Sequence, residues 1–285
     1  MTSSQSLPDR EHSLHDHLRS LGALSVAFSG GVDSRFLSFT ALRLGLDVRV
    51  LHVKGPHIPA EESAWAESWA ELNGLSLTLL SIDPLQVPEI AANGRERCYH
   101  CKNAVFRALR AEAGDLPLCD GTNASDGEGY RPGLRALREL GIISPLAAAG
   151  LRKVDIRALA RKNGMDMPDQ SAHPCLFTRY NYGIRPTYAS LAALNTAEEA
   201  VGLVLRRHAV LTRGADAEDP QAERGRFRLR FEQEGQAVLH VAYADLTDAV
   251  LAALRGVLAE TGFSDVPVVT VEQISGHFDN LPSAG

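Results

Sequence analysis

The chain has 285 residues, 45% of them hydrophobic and 22% charged, a globular balance that excludes a disordered or fibrous class. Its length suits two modest domains, each able to bury a core. A net charge of −6 argues against general electrostatic binding of a nucleic-acid backbone. Residues 1–17 lack the apolar core of a signal peptide and no later stretch reaches membrane-spanning length, so a cytoplasmic protein without nucleic-acid or membrane partners is expected.

Ser6, followed by Pro8 and Asp9, reads as a helix start, and Leu14, Leu18 and Leu21 continue it at helical spacing. The run Leu24 to Phe28 is a short strand pattern. It is followed by Ser29-Gly30-Gly31-Val32-Asp33-Ser34, and then by Phe36, Leu37, Ala41, Leu42 and Leu44 at helical spacing. In such a strand, turn and helix the glycines let the backbone pass close to a bound anion. The free N–H groups at the positive helix end point at it. Ser29 and Ser34 add hydroxyls, and Asp33 beside a phosphate suits a divalent cation, so phosphate with Mg²⁺ is expected. No lysine follows the glycines, which excludes a Walker A loop.

Strand patterns at 48–53 and 75–82 flank a helical pattern at 60–72, and such alternation implies right-handed βαβ units in a parallel sheet covered on both faces. An irregular stretch, 83–97, leads to Cys98-Tyr99-His100-Cys101 and a helix at 102–113. Four cysteines, two of them in this pair, fit metal or redox chemistry better than a disulfide framework. A fourth strand at 116–120 opens into a Gly-, Asn- and Asp-rich loop at 121–133, at the sheet end where ligands bind in open α/β folds. A tight turn there would give Thr122 and Asn123 to a nucleotide and Asp126 to a metal; a plain Asx-turn loop without a ligand is the alternative. Helices at 135–140 and 154–163 follow, with a short extended piece at 142–146 between them. The segment 165–186, rich in Pro, Gly and aromatic residues, carries Cys175. Beyond it come a helix at 188–206, strands at 208–211, 227–231, 237–241 and 266–271, a helix at 245–258 and an acidic loop at 214–223. The boundary is placed near Pro186, giving domains 1–186 and 187–285.

The Ser29 to Ser34 loop resembles the SGGxDS pyrophosphate loop of the PP-loop ATP pyrophosphatases, which adenylate a substrate and release pyrophosphate. That resemblance implies ATP and an adenine nucleotide α-hydrolase-like α/β domain, here followed by a smaller α+β domain. The stretch from Ser144-Pro145-Leu146 through Gly150-Leu151-Arg152-Lys153 to Ile156-Arg157-Ala158-Leu159-Ala160 resembles the PL…LxKxxIRxLA element of several such enzymes. There the lysine approaches the phosphates, a role this implies for Lys153, whose flexible ammonium suits charge growing on a leaving pyrophosphate. The alternative is an exposed lysine, although one in a first helical turn opposes the helix dipole.

Taken in order, these motifs resemble the LarE family from about residue 26 to 186. They are joined by Arg97-Cys98-Tyr99-His100-Cys101-Lys102, Asp120 to Asp126, Tyr130-Arg131-Pro132-Gly133-Leu134 and the Cys175 segment. The family uses ATP to insert sulfur into pyridinium-3,5-biscarboxylic acid mononucleotide, the precursor of a nickel-pincer cofactor. The resemblance implies that the carboxylate is adenylated and then attacked by sulfur. In the family a cysteine at the position of Cys175 either gives up its own sulfur or joins a CxxC pair on a 4Fe-4S cluster. This chain has Cys98, Cys101 and Cys175 together, which favours the cluster, with a zinc site or simple buried thiols as alternatives. Cys119, ending a core strand, reads as a small buried hydrophobe.

There are departures. Where the family has a pattern like SACLASRxxYG, this chain has Ser171-Ala172-His173-Pro174-Cys175-Leu176-Phe177-Thr178-Arg179, which alters the surroundings of the sulfur. Arg179 still matches as a phosphate group's partner. Family members also carry an RVRHHGDxARIE-like strand pair whose arginines bind the substrate phosphate and whose acids help form a metal site at a subunit interface. Arg228 and Arg230 stand two apart, on one strand face, as phosphate binders or as an exposed charged face. The following Glu is replaced by His240 or Leu239, which puts the interface metal in doubt. A homo-oligomer is implied by the resemblance alone.

The function expected is ATP-dependent sulfur transfer to a small phosphorylated carboxylate. Other PP-loop activities, such as tRNA thiolation or amidating ligation, and a nucleotide-binding module without turnover are the alternatives.

Overall fold

The computed structural model describes residues 5–127, 132–171, 174–213, 226–243, 246–272, 274 and 277–278. The expected acidic loop at 214–223, together with Tyr130, Arg131, Ala172 and His173, lies outside the described residues. By contacts the chain forms two units, residues 1–82 with 98–169, and residues 83–97 with 170–285.

The first unit is α/β, as its alternating pattern implies. It contains α1 (Leu7–Leu21), β1 (Leu24–Ala27), α2 (Val32–Arg43), β2 (Val48–Lys54), α3 (Ala60–Leu72) and β3 (Ser76–Ser81). The chain passes through the second unit's short α4 (Pro88–Ala91). It then continues into α5 (Arg97–Ala113), β4 (Leu118–Cys119), α6 (Pro132–Glu139), α7 (Pro145–Ala148) and α8 (Lys153–Lys162). Ser6 caps α1 through a reciprocal pair with Asp9, satisfying two otherwise orphaned N–H groups.

The four strands are all parallel in the order β3-β2-β1-β4. Alternation along β2 sorts its side chains to two faces. Val48 and Val50 join Leu14, Leu18, Phe36, Leu37, Trp69, Ile156 and Leu159 on one side. Leu51 and Val53 join Phe106, Leu109, Leu118 and Leu137 on the other. A sheet buried on both faces has few polar positions to show water, and its strands read as apolar runs for that reason.

The start of α2 is held by an unusual anchor. Arg35 is buried and donates to the Asp166 carbonyl at 3.0 Å and the Met167 carbonyl at 2.9 Å. Its guanidinium lies 5.7 and 5.4 Å from the rings of Trp65 and Trp69. Trp69 Nε1 in turn donates to Asp166 Oδ1 at 2.7 Å. This fixes the first turn of α2 against α3 and the segment that follows α8, so the preceding loop has a rigid base.

His52 on β2 is buried, with Nδ1 2.8 Å from the Phe28 carbonyl and Nε2 3.0 Å from Ser63 Oγ. Burial pushes its pKa below the ordinary 6.5, outweighing the bond to Phe28 that would raise it. The folded chain therefore keeps this ring neutral while the unfolded chain takes up a proton below about 6.5, so acid favours unfolding. Unfolding free energy is expected to fall as pH drops from 6.5, by at most about 1.4 kcal/mol per pH unit from this ring. Urea unfolding at several pH values, with His52→Gln giving a shallower decline than the parent, checks it; equal slopes would refute it.

The second unit holds α9 (Tyr188–Arg213), β5 (Phe227–Gln233), β6 (Gln236–Val241), α10 (Asp248–Glu260) and β7 (Val268–Thr270). Its sheet has the order β5-β6-β7, antiparallel then parallel. Leu191, Leu194, Ala197, Val201, Leu205, Phe227, Leu229, Leu239, Leu254 and Leu258 are buried. The strand expected at 208–211 is instead the continuation of α9. Val201, Leu205 and His208 are buried at a spacing of four and three, so the buried face of the helix continues to His208. Tyr180 stacks on Phe231 with ring centroids 4.6 Å apart, and Asn181 N donates to the Phe231 carbonyl at 2.9 Å, tying the Cys175 segment to β5.

Candidate functional site

Strand order places the loops after β1 and β4 side by side, because β2 and β3 lie on one side of β1 and β4 on the other. This is the point where the winding direction reverses, where open α/β sheets bind ligands beyond their carboxyl ends. The loop Ser29 to Ser34 sits there. Gly30 takes φ +75°, and an added Cβ would stand 2.8 Å from Ala66 Cβ, so neither the backbone nor the space admits a side chain. Ser29 Oγ accepts from Gly31 N at 3.3 Å and lies 3.2 Å from Ser34 Oγ, which itself donates to the Gly31 carbonyl at 3.1 Å. These bonds shape the turn and leave glycine, without a side-chain cap, at the start of α2. The helix N-terminus thus faces the loop with its amides and positive dipole.

The β4 loop closes on it. A Cβ at Gly121 would stand 2.9 Å from Ser34 N and 3.2 Å from Asp33 Cβ, so only glycine permits the approach. Asp120 is buried and accepts from Thr122 Oγ1 and, at 2.6 Å, from Ser144 Oγ. Asn123 is also buried; its Oδ1 accepts from Ser125 N at 2.9 Å and its N donates to Asp126 Oδ2 at 3.0 Å. An Asx-type turn is therefore present, which by itself fits the loop with or without a ligand. Its carbonyl from Thr122 takes Ala147 N at 3.1 Å, and Ala124 N donates to Leu151 O at 2.8 Å, which brings the start of α8 to the same place.

Lys153 opens α8. Its N donates to Ser125 Oγ at 3.1 Å and its Nζ lies 2.6 Å from Asp33 Oδ2. That ion pair answers why a lysine occupies a helical first turn. Burial raises the Asp33 carboxyl above its ordinary range, opposed by Lys153 and reinforced by the Asp126 carboxylate. Two acids, one lysine and an amide-lined helix start thus meet at one edge: an arrangement able to hold a polyphosphate, a divalent cation and a growing negative charge.

The cysteines fall in two settings. Cys98 and Cys101 lie one turn apart in α5, both half-buried, and Cys175, half-buried, precedes a single 3-10 turn at Leu176–Arg179. None of the four cysteines is in a disulfide. Cys119 is fully buried beside Asp120, and burial with that charge pushes its thiol up to about 12, so it stays protonated.

Arg179 is buried and makes a bidentate pair with Glu198, at 2.8 Å to Nη2 and 3.0 Å to Nε, while its Nη1 donates to the Pro174 carbonyl at 2.6 Å. Glu198 also accepts from Leu229 N at 3.0 Å. Burial alone would raise the Glu198 carboxyl, but Arg179, with Arg228, holds it below its ordinary value. Arg228 and Arg230 are both buried, so the alternative of an exposed charged strand face is corrected: these residues belong to the interior of the second unit. Arg230 is pushed down to about 10 by burial and the neighbouring Arg179 charge, and donates to the Ile274 carbonyl.

Sequence reasoning did not single out Ser125 or Glu198. Ser125 lies inside the quoted β4 motif, whereas Glu198 is one acid on a long helix and carries no local signal. Among the described residues, no helix is long and apolar enough to cross a membrane.

No family model matches the chain. It is 33% identical over 187 residues to the pyridinium-3,5-bisthiocarboxylic acid mononucleotide synthase of Lactiplantibacillus plantarum, a match covering 64% of this chain and 68% of that one. It is 31% identical over 196 residues to an uncharacterized protein of Synechocystis sp., covering 67% of this chain and 73% of the relative. A third relative, an uncharacterized protein of Methanocaldococcus jannaschii, is 31% identical over 177 residues, covering 61% and 67%.

Proposed function

We propose, given that the chain belongs to the LarE family of pyridinium-3,5-bisthiocarboxylic acid mononucleotide synthases, that it is an ATP-dependent sulfurtransferase acting on a small phosphorylated pyridinium carboxylate. The observation that carries the reading is the meeting of the Ser29 to Ser34 loop, Asp126 and Lys153 at the switch point of the sheet. In this reading the α2 amides with Ser29, Gly30, Gly31 and Ser34 bind the ATP phosphates, and Thr122 and Asn123 shape the nucleotide's side of the pocket. Asp33 and Asp126 hold Mg²⁺, which neutralises phosphate charge.

The substrate carboxylate attacks the α-phosphorus, forming an acyl-adenylate and breaking the bond to pyrophosphate. Lys153 meets the charge that grows on that leaving group. Sulfur then attacks the acyl carbon and AMP departs with the bonding pair. Arg228 and Arg230 are assigned to the substrate's phosphate, and Arg179 to fixing the segment that carries Cys175. The working protein is a homo-oligomer in the cytoplasm.

Three thiols outside any disulfide, two of them on one helix face, suit the donor set of an iron–sulfur group. Cys98, Cys101 and Cys175 would hold a 4Fe-4S cluster, which supplies an iron open to sulfide. Cys119, fully buried at the end of β4, is left out of that set.

The test is anaerobic purification with iron and sulfide analysis, then pyrophosphate release from ATP with pyridinium carboxylates and the intact mass after turnover. Brown protein, several turnovers with added sulfide and an unchanged mass are expected. Iron-free protein with full activity in the Cys98→Ala, Cys101→Ala double variant would overturn the cluster. Pyrophosphate release with no pyridinium acid would overturn the substrate.

A further inference from the structure

We propose that Glu232, His240 and His277 form a site for one divalent transition-metal ion of the zinc type, held within a single chain. All three belong to the second unit, but they come from three places: β5, the middle strand β6, and the segment after β7. Glu232 Oε1 lies 3.0 Å from His277 Nε2 and 3.4 Å from His240 Nε2. One donor atom from each residue falls within 4.8 Å of the other two. Tetrahedral ligands about 2.1 Å from zinc stand about 3.4 Å from each other, so the three donors already have nearly the required spacing.

Local structure explains the convergence. The β5–β6 register slips between Phe231 and Gln233, which leaves Glu232 as the extra residue of a bulge and takes it out of the regular ladder. His240 pairs with Arg228 across the strands, so its side chain projects on the same face as that residue. The two imidazole rings have centroids 4.6 Å apart with a 46° tilt, converging on the carboxylate instead of lying flat on one another.

A second observation is independent of the cluster. The His240 side chain is 5% exposed, and its Nδ1 has no hydrogen-bond partner among the described residues. Buried polar nitrogens are nearly always matched, so a ring kept here needs a reason beyond packing. The nitrogen that faces Glu232 is the other one, Nε2, at 3.4 Å, and it is this nitrogen that would take the metal.

The donor chemistry selects the ion. Two imidazoles and one carboxylate suit zinc and its first-row neighbours, whereas Mg²⁺ and Ca²⁺ take oxygen ligands. Three protein donors leave a coordination position for water or an anion. The site does not depend on the sulfur-transfer reading, since its residues lie outside the nucleotide loop and include no cysteine. It also differs in its donors from the interface metal implied by the family resemblance, which acids help to form.

The full chain carrying Cys98→Ala and Cys101→Ala, which removes the thiol pair as a competing donor set, is stripped with a chelator and titrated with Zn²⁺ for stoichiometry and thermal stability, and with Co²⁺ for its absorption spectrum. One Zn²⁺ per chain and a raised unfolding temperature are expected. Co²⁺ should show ligand-field bands without thiolate charge transfer. His277→Ala should abolish this uptake and the thermal shift. Glu232→Gln, half-exposed and away from the core, carries the same expectation if His277→Ala folds poorly. No nitrogen-ligated ion, one ion per several chains, or equal binding by this parent and both variants would overturn the site.

Discussion

Glu198→Ala is expected to destabilise the second unit by about 3–5 kcal/mol, the usual consequence of removing one partner of a buried ion pair. The Arg179 and Glu198 side chains are only 5% and 12% exposed, so water cannot replace the lost carboxylate. Arg179 would lose the carboxylate that its Nε and Nη2 donate to while keeping its carbonyl and hydroxyl bonds, and Arg228 would lose a nearby anion. Leu229 N on β5 would also lose its acceptor. Urea unfolding followed by circular dichroism measures the loss. Glu198→Gln, which keeps an acceptor but not the charge, should fall between the two. Adding Arg179→Met to Glu198→Ala should recover part of the loss, because the coupling between contacting partners is not additive. A change below about 1 kcal/mol in Glu198→Ala would show that the charges are screened, as exposed pairs are.

The reach of the sequence differs between these places. The nucleotide loop was legible because its chemistry is contiguous: a strand, two glycines, an acid and a helix start within a dozen residues. The parallel sheet was legible through alternating patterns, and the corrected strand at 208–211 marks the limit, since a four-residue stretch with three apolar residues fits either period. Lys153 could be found from its motif, but not its partner. Asp33 lies 120 positions earlier, and only the parallel pairing of β1 with β4, which sets their loops side by side, brings the two together. The close approach of Gly121 to Ser34 is likewise a property of two loops and not of either one. Glu198 and His277 have no local pattern at all. Their roles arise from a helix packed on β5 and a segment folded back on a bulge, long-range facts that a linear reading does not contain.

Lys153→Met is expected to lower kcat for pyrophosphate release by about 10²–10³-fold, the effect of losing one preorganised charge that faces a developing anion. Methionine keeps the length and apolar stem, so α8, held by Arg10 against Asp155 at 2.5 Å, should stay in place. The ion pair with Asp33 predicts something more. In the structure each charge answers the other at 2.6 Å, so binding of Mg²⁺ to the acid and phosphate to the lysine must exchange one set of partners for another. Asp33→Asn should therefore raise the Mg²⁺ concentration needed for half-maximal rate, while Lys153→Met should not. The double variant should lose less than the product of the single losses, because each single change already breaks the shared pair. Steady-state pyrophosphate release across Mg²⁺ concentrations, with folding checked by circular dichroism, reads all three. An unchanged kcat in Lys153→Met would show that the lysine serves only to neutralise Asp33 and not the leaving group, and strict multiplicativity would show that the ion pair does not couple the two residues in the reaction.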